Sequence, residues 1–103
     1  VNTNSGAGSK INFGVDGGNY DAAFIQGYRV GSDAKYNLGF GVSVGADYST
    51  AATEQMTIQG GTGNVGIGTT GPNSKLEVAG TFNSTSSGGT LQVDSNGNVK
   101  IGI

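Results

Sequence analysis

Few residues in this chain could do chemistry, and the first to weigh are Gly61-Thr62-Gly63-Asn64-Val65-Gly66. They satisfy G-x-G-x-x-G, the spacing at which glycines let a backbone approach a pyrophosphate between a strand and a helix. The string continues Ile67-Gly68-Thr69-Thr70-Gly71-Pro72, which cannot open a helix, so a tight turn is the better account. Asp94-Ser95-Asn96-Gly97-Asn98 copies the first five positions of an EF-hand calcium loop. The sixth position, where that loop requires glycine, is Val99, and the twelfth lies past Ile103. A hairpin or corner turn with Asn96-Gly97 at its tip is expected instead. Asp16 and Asp21 could form an acid pair or hold a cation, but two solvated loop carboxylates are the ordinary case, and no glycosidase chemistry is read from them.

Tyr20, Tyr28, Tyr36 and Tyr48 all fall in the amino-terminal half, where ring faces with a polar tip could stack on sugars. Packing between strands or between chains is the commoner use of such rings, and glycan contact, where it occurs, is expected from these four. The chain has no histidine and no cysteine. It therefore lacks the commonest general base, the commonest metal ligand and any thiolate or disulfide. General acid-base work would fall to scattered carboxylates and tyrosines, so no enzyme, catalytic residue, cofactor or metal is expected.

Composition narrows the partners. Lys10, Arg29, Lys35, Lys75 and Lys100 are the only cations and the net charge is −2, so no basic patch exists to release counterions from nucleic acid. No apolar run approaches the ~20 residues of a membrane-spanning helix, and no amino-terminal signal pattern is present, so neither membrane insertion nor self-targeting is expected. Hydrophobic residues make up 34% of 103 positions and glycine takes 21. Ordering each residue costs about 1 to 2 kcal/mol, more at glycine, and a lone chain has little apolar area to offset it. Disorder would call for high net charge and few β-branched residues, the reverse of what is found here. Burial supplied by neighbouring copies is the expected remedy.

Elements that could position these residues follow from a period of two. Ile11, Phe13 and Val15; Leu38, Phe40, Val42 and Val44; Met56 and Ile58; Val65 and Ile67; Leu76 and Val78; Leu91 and Val93; and Val99, Ile101 and Ile103 alternate with small or polar residues. Each reads as a strand with one buried face, and no helical stripe is present. Turn formers separate them at Asp16-Gly17-Gly18-Asn19, Gly31-Ser32-Asp33, Gly60 to Asn64, Gly71-Pro72-Asn73 and Asn96-Gly97. A unit is used twice: Met56-Thr57-Ile58-Gln59 with Gly63-Asn64-Val65-Gly66-Ile67-Gly68 parallels Leu91-Gln92-Val93-Asp94 with Gly97-Asn98-Val99-Lys100-Ile101-Gly102. The first turn is one residue longer, and the repeat is expected to continue or be capped beyond Ile103. Glycines opposite Val65 and Ile67 are expected where an adjacent backbone leaves room only for hydrogen. The expected divisions are an amino-terminal β module at 1–55 with any binding region, a first repeat at 56–82, a Ser/Thr/Gly linker or long turn at 83–90, and a partial second repeat at 91–103.

The residues from Tyr36 to Gly80 resemble the repeat module of bacteriophage tail fibres and related trimeric adhesins, often found upstream of an intramolecular chaperone domain. Asn37, Leu38, Phe40, Glu54, Met56, Ile58, Gly63 to Thr70, Pro72, Lys75, Leu76 and Val78 carry the likeness, which covers a little under half the chain. The resemblance implies an all-β, elongated homotrimer, an intertwined β-helix or β-prism with short strands and Gly/Asn turns. Its expected trimer core is Met56, Ile58, Val65, Ile67, Leu76, Val78, Leu91, Val93, Val99 and Ile101. The implied role is structural and adhesive, in a virion tail fibre or an extracellular, cell-surface appendage. Partners would be sister chains, other fibre or tail proteins and a host-surface glycan or protein receptor. In such a setting the glycosylation acceptor Asn83-Ser84-Thr85 is expected to be idle. A different class stays open: a small monomeric β-sandwich that binds carbohydrate through Tyr28, Tyr36 and nearby Asp or Asn.

Overall fold

The computed structural model describes residues 8–14, 21–32, 34–45, 50–84, 88–89 and 91–102. Among them the protein is all-β with no helix. Strands β1 (Lys10–Gly14), β2 (Asp21–Val30), β3 (Lys35–Val42), β4 (Thr53–Ile58), β5 (Val65–Ile67) and β6 (Leu76–Val78) form one six-stranded sheet in sequence order. Strands β7 (Leu91–Gln92) and β8 (Lys100–Ile101) form a separate antiparallel hairpin. The first five strands run antiparallel, and β6 returns parallel to β5. The expected division between residues 55 and 56 falls inside β4, so the amino-terminal strands and the first repeat share a sheet.

The strand β2 has no counterpart among the expected elements. Its Ala22-Ala23-Phe24-Ile25 run does not alternate, because Phe24 and Ile25 point to opposite faces and both faces accept an apolar side chain there. Turn chemistry follows the expectation more closely. Gly61 and Gly63 take φ of +88° and +70° in the β4–β5 turn, the left-handed region open to glycine at no steric cost. The G-x-G-x-x-G string is therefore a hairpin turn leading into β5. Ser95, Asn96 and Asn98, with φ of 81°, 72° and 47°, turn the chain between β7 and β8, and the Asn96 amide donates to the Asp94 side chain.

The two copies of the repeat fold alike. Met56 pairs with Ile67 and Ile58 with Val65 in the first; Leu91 pairs with Ile101, and the Val93 amide donates to the Val99 carbonyl at 2.9 Å, in the second. The extra residue of the first turn is absorbed without changing the register.

Residues 68–75 carry the chain back from β5 to the parallel β6, a shorter return than the dozen or so residues such a crossover ordinarily takes. Residues within and beside it make it feasible. Gly68 turns with φ +74°, and Asn64 Nδ2 donates to the Pro72 carbonyl at 3.2 Å. Lys75 Nζ donates to the Thr62 carbonyl at 2.9 Å. A Cβ on Gly66 would collide with the Thr69 carbonyl oxygen and stand 3.3 Å from Pro72 Cδ. Close backbone approach thus explains Gly66, as the sequence suggests, whereas Gly68 is needed first for its left-handed conformation.

Candidate functional site

Because opposed residues in neighbouring strands share a face, the register sorts the paired side chains of the sheet onto its two sides. Ile11, Ile25, Phe40, Met56, Ile67 and Val78 are opposed in turn, one from each strand, and form an apolar row across the whole sheet. A second row on the same face runs Leu38, Ile58, Val65, Leu76, and a third starts Phe13, Ala23, Val42. This face is open. Ile11 is 61% exposed, Phe13 53%, Leu76 58% and Val42 48%.

The other face covers itself. Gly39, Gly41 and Gly66 lie there, all buried, and each is capped by a neighbour that fills the place of a Cβ. The Glu54 carboxyl covers Gly39, the Phe24 ring covers Gly41, and Thr69 with Pro72 covers Gly66. Phe24 is the sole buried hydrophobic side chain besides Pro72 among the described residues, and Lys10 Nζ sits 4.4 Å from its ring centroid. Asn37 and Thr57 are buried polar groups on this side. The expectation that the alternating strands bury their apolar face is therefore reversed within one copy: the glycine and polar face is the covered one.

A hydrogen-bond chain holds that covered face. The Gly60 amide donates to Asn37 Oδ1 at 2.9 Å, Asn37 Nδ2 donates to the Tyr28 hydroxyl at 3.2 Å, and Tyr28 donates to Glu54 Oε1 at 2.9 Å. Thr57 Oγ1 donates to the same carboxylate oxygen. Burial raises the Tyr28 pKa above its ordinary 10, and the Glu54 carboxylate, as hydrogen-bond acceptor and as a negative charge, raises it further against the opposing Asn37 bond. No buried side-chain polar atom among the described residues lacks a partner. A satisfied network of this kind rigidifies and specifies a fold. Asn37 and Glu54 are among the residues that carry the likeness, but apart from the Thr57 bond within β4 their contacts span 9 to 26 residues and leave no local pattern to read.

Of the four tyrosines, Tyr20 and Tyr48 lie outside the described residues. Tyr28 is opposed to Asn37 on the covered face, and Tyr36, 60% exposed, is opposed to Arg29 at the end of the apolar face. The two rings sit on opposite sides of one sheet, so a single copy does not join them in one sugar-binding platform. Asp16 lies outside the described residues, as does the side chain of Asp21.

Of the ten expected core positions, Met56, Ile58, Val65, Ile67, Leu76 and Val78 share the open face. Leu91, Val93, Val99 and Ile101 share one face of the β7–β8 hairpin, with Val93 50%, Val99 46% and Ile101 61% exposed. No family model, curated protein or solved structure matches the chain.

Proposed function

We propose that this chain is a structural and adhesive segment of a trimeric attachment fibre, akin to phage tail fibres and related adhesins. Three copies turn their sheets so that the apolar rows face a common axis and the self-covered glycine face looks outward. The observation that carries this reading is the row Ile11, Ile25, Phe40, Met56, Ile67, Val78, continuous across six strands and uncovered. Ile11, Phe13, Leu38, Val42, Ile67 and Leu76 on that face are 38% to 61% exposed, and a contiguous apolar surface of this kind marks an interaction site.

Shape supports the same reading. The radius of gyration is 17.3 Å and the extents are 50 × 37 × 17 Å, against about 13 Å for the radius of a compact domain of this length. One thin layer with an apolar side is half of a packed structure. A cyclic arrangement supplies the other half from identical chains and shields the sheet edges from open-ended pairing. The residues that carry the likeness sort accordingly: Leu38, Phe40, Met56, Ile58, Val65, Ile67, Leu76 and Val78 line the face turned to sister chains. Asn37, Glu54 and Gly66 build the self-covered face, while Asn64, Pro72 and Lys75 fix the β5–β6 return.

Melting at several chain concentrations tests the proposal, since a fold completed by association gains stability by mass action. Tm is expected to rise with concentration across the micromolar range. A concentration-independent Tm in a monomeric species would overturn it.

A further inference from the structure

We propose that Asn96 is a site of spontaneous covalent modification, where the chain converts itself to aspartate and isoaspartate at the tip of the β7–β8 hairpin. Asn96-Gly97 is the only Asn-Gly step in the sequence. The Gly97 amide nitrogen, its proton passed to solvent base, attacks Asn96 Cγ and forms the new N–Cγ bond. The Cγ–Nδ2 bond breaks, and the side-chain nitrogen, protonated by water, leaves as ammonia. Water then opens the succinimide ring at either carbonyl. One opening yields aspartate; the other reroutes the main chain through the side-chain carbon and yields isoaspartate. The balance is one water consumed and one ammonia released, with no redox partner.

Three observations single out this asparagine. Both Asn96 and Gly97 are exposed, and the Gly97 amide makes no hydrogen bond among the described residues, so the nucleophile is not engaged. Glycine puts no Cβ in the path of the attack. The hairpin that holds the pair also has little to keep it closed. Each strand has two residues, and Ser95, Asn96 and Asn98 occupy left-handed backbone conformations that cost L-residues energy. Elements of this kind open readily, and opening frees the Asn96 side chain to rotate onto the Gly97 nitrogen.

The other described asparagines are placed less favourably. Asn37 and Asn64 have their side-chain amides engaged with Tyr28 and with Pro72. Asn12 and Asn98 precede Phe13 and Val99, whose side chains crowd the attacking nitrogen, and Asn73 and Asn83 precede serines. Isoaspartate would lengthen the main chain by one methylene between Val93 and Val99, whose backbone bond closes the turn, and would place a new carboxylate beside Asp94. The modification is thus expected to loosen the second repeat while leaving the six-stranded sheet intact.

The test incubates the full chain at 37 °C and mildly alkaline pH and follows each asparagine by peptide mapping, with fragmentation that separates Asn83 from Asn96. Conversion at Asn96 is expected to run about tenfold faster than at Asn73 or Asn83, a difference of about 1.4 kcal/mol in barrier, and to yield isoaspartate alongside aspartate. Gly97→Ala is expected to slow it by a similar factor while keeping the turn, because the added Cβ would stand 3.6 Å from Val93 Cγ1, an ordinary contact. Equal rates at Asn83 and Asn96, or an unchanged rate in Gly97→Ala, would overturn the proposal.

Discussion

The Tyr28 hydroxyl donates to Glu54 Oε1 at 2.9 Å, and this bond joins β2 to β4 over the top of β3, which lies between them. It can do so because Gly39 of β3 has no side chain: a Cβ there would stand 2.5 Å from Glu54 Oε2 and 2.6 Å from Glu54 Cδ. Three strands are tied on one face by a bond that needs a glycine beneath it.

Removing the Tyr28 hydroxyl therefore has a defined consequence. Tyr28→Phe is expected to lower stability by about 1 kcal/mol, because Glu54 keeps its bond from Thr57 while Asn37 Nδ2 loses its acceptor. Thermal or urea unfolding measures this, and an unchanged midpoint would show the network to be ornamental.

The same residue sets an alkaline limit. The folded-state pKa of Tyr28 is raised above 10, so the fold favours the protonated phenol. Its contribution is complete below pH 10 and is lost as pH climbs through the raised value. Unfolding midpoints between pH 9 and 12 are expected to fall for the natural chain more steeply than for Tyr28→Phe. Parallel slopes would refute the assignment.

Gly66 on the covered face should not tolerate alanine, because the atom it would meet is backbone. Gly66→Ala forces a methyl into the Thr69 carbonyl and against Pro72, both fixed by the β5–β6 return, and is expected to cost about 1 to 3 kcal/mol. Gly71, whose added Cβ would meet nothing within 4 Å, is the control, and Gly71→Ala is expected to be near neutral. Comparing the two by denaturant midpoint separates crowding from a general loss of chain flexibility.

Assembly should depend on the open face rather than on the covered one. Ile67→Lys places an ammonium in the middle of the apolar row, at a position 38% exposed in one copy. It is expected to leave the β-sheet circular-dichroism signal of a single chain intact and to weaken association at least about a hundredfold, since an unpaired charge is expensive in a dry interface. Lys in place of exposed Thr81, outside the strands, is expected to leave association unchanged. Equal sedimentation of the Ile67→Lys and natural chains would mean that this face meets no partner.

Much of the sheet is legible in the amino-acid order, and the limits of that reading have physical causes. Val65-Gly66-Ile67 and Leu76-Glu77-Val78 announce strands because alternate residues serve different faces, and the doubled unit announces two hairpins of equal register. The strand β2 does not, because Phe24 caps Gly41 on the face that elsewhere holds glycine and polar groups, breaking the alternation at Phe24-Ile25. Val44, expected to extend β3, lies past its end and is 69% exposed. Apolar periodicity also cannot say which face is covered, since Gly39 and Gly41 owe their burial to side chains that fold over from other strands. The polar chain from Gly60 through Asn37 and Tyr28 to Glu54 depends wholly on pairing between distant segments.

Sedimentation equilibrium of the chain over the micromolar range decides between a trimer and a lone sheet. Three copies of a 10.2 kDa chain should sediment as one species of three times that mass, with the row from Ile11 to Val78 covered by sister chains. A folded species that stays at 10.2 kDa at every concentration would mean that no sister chain covers this row.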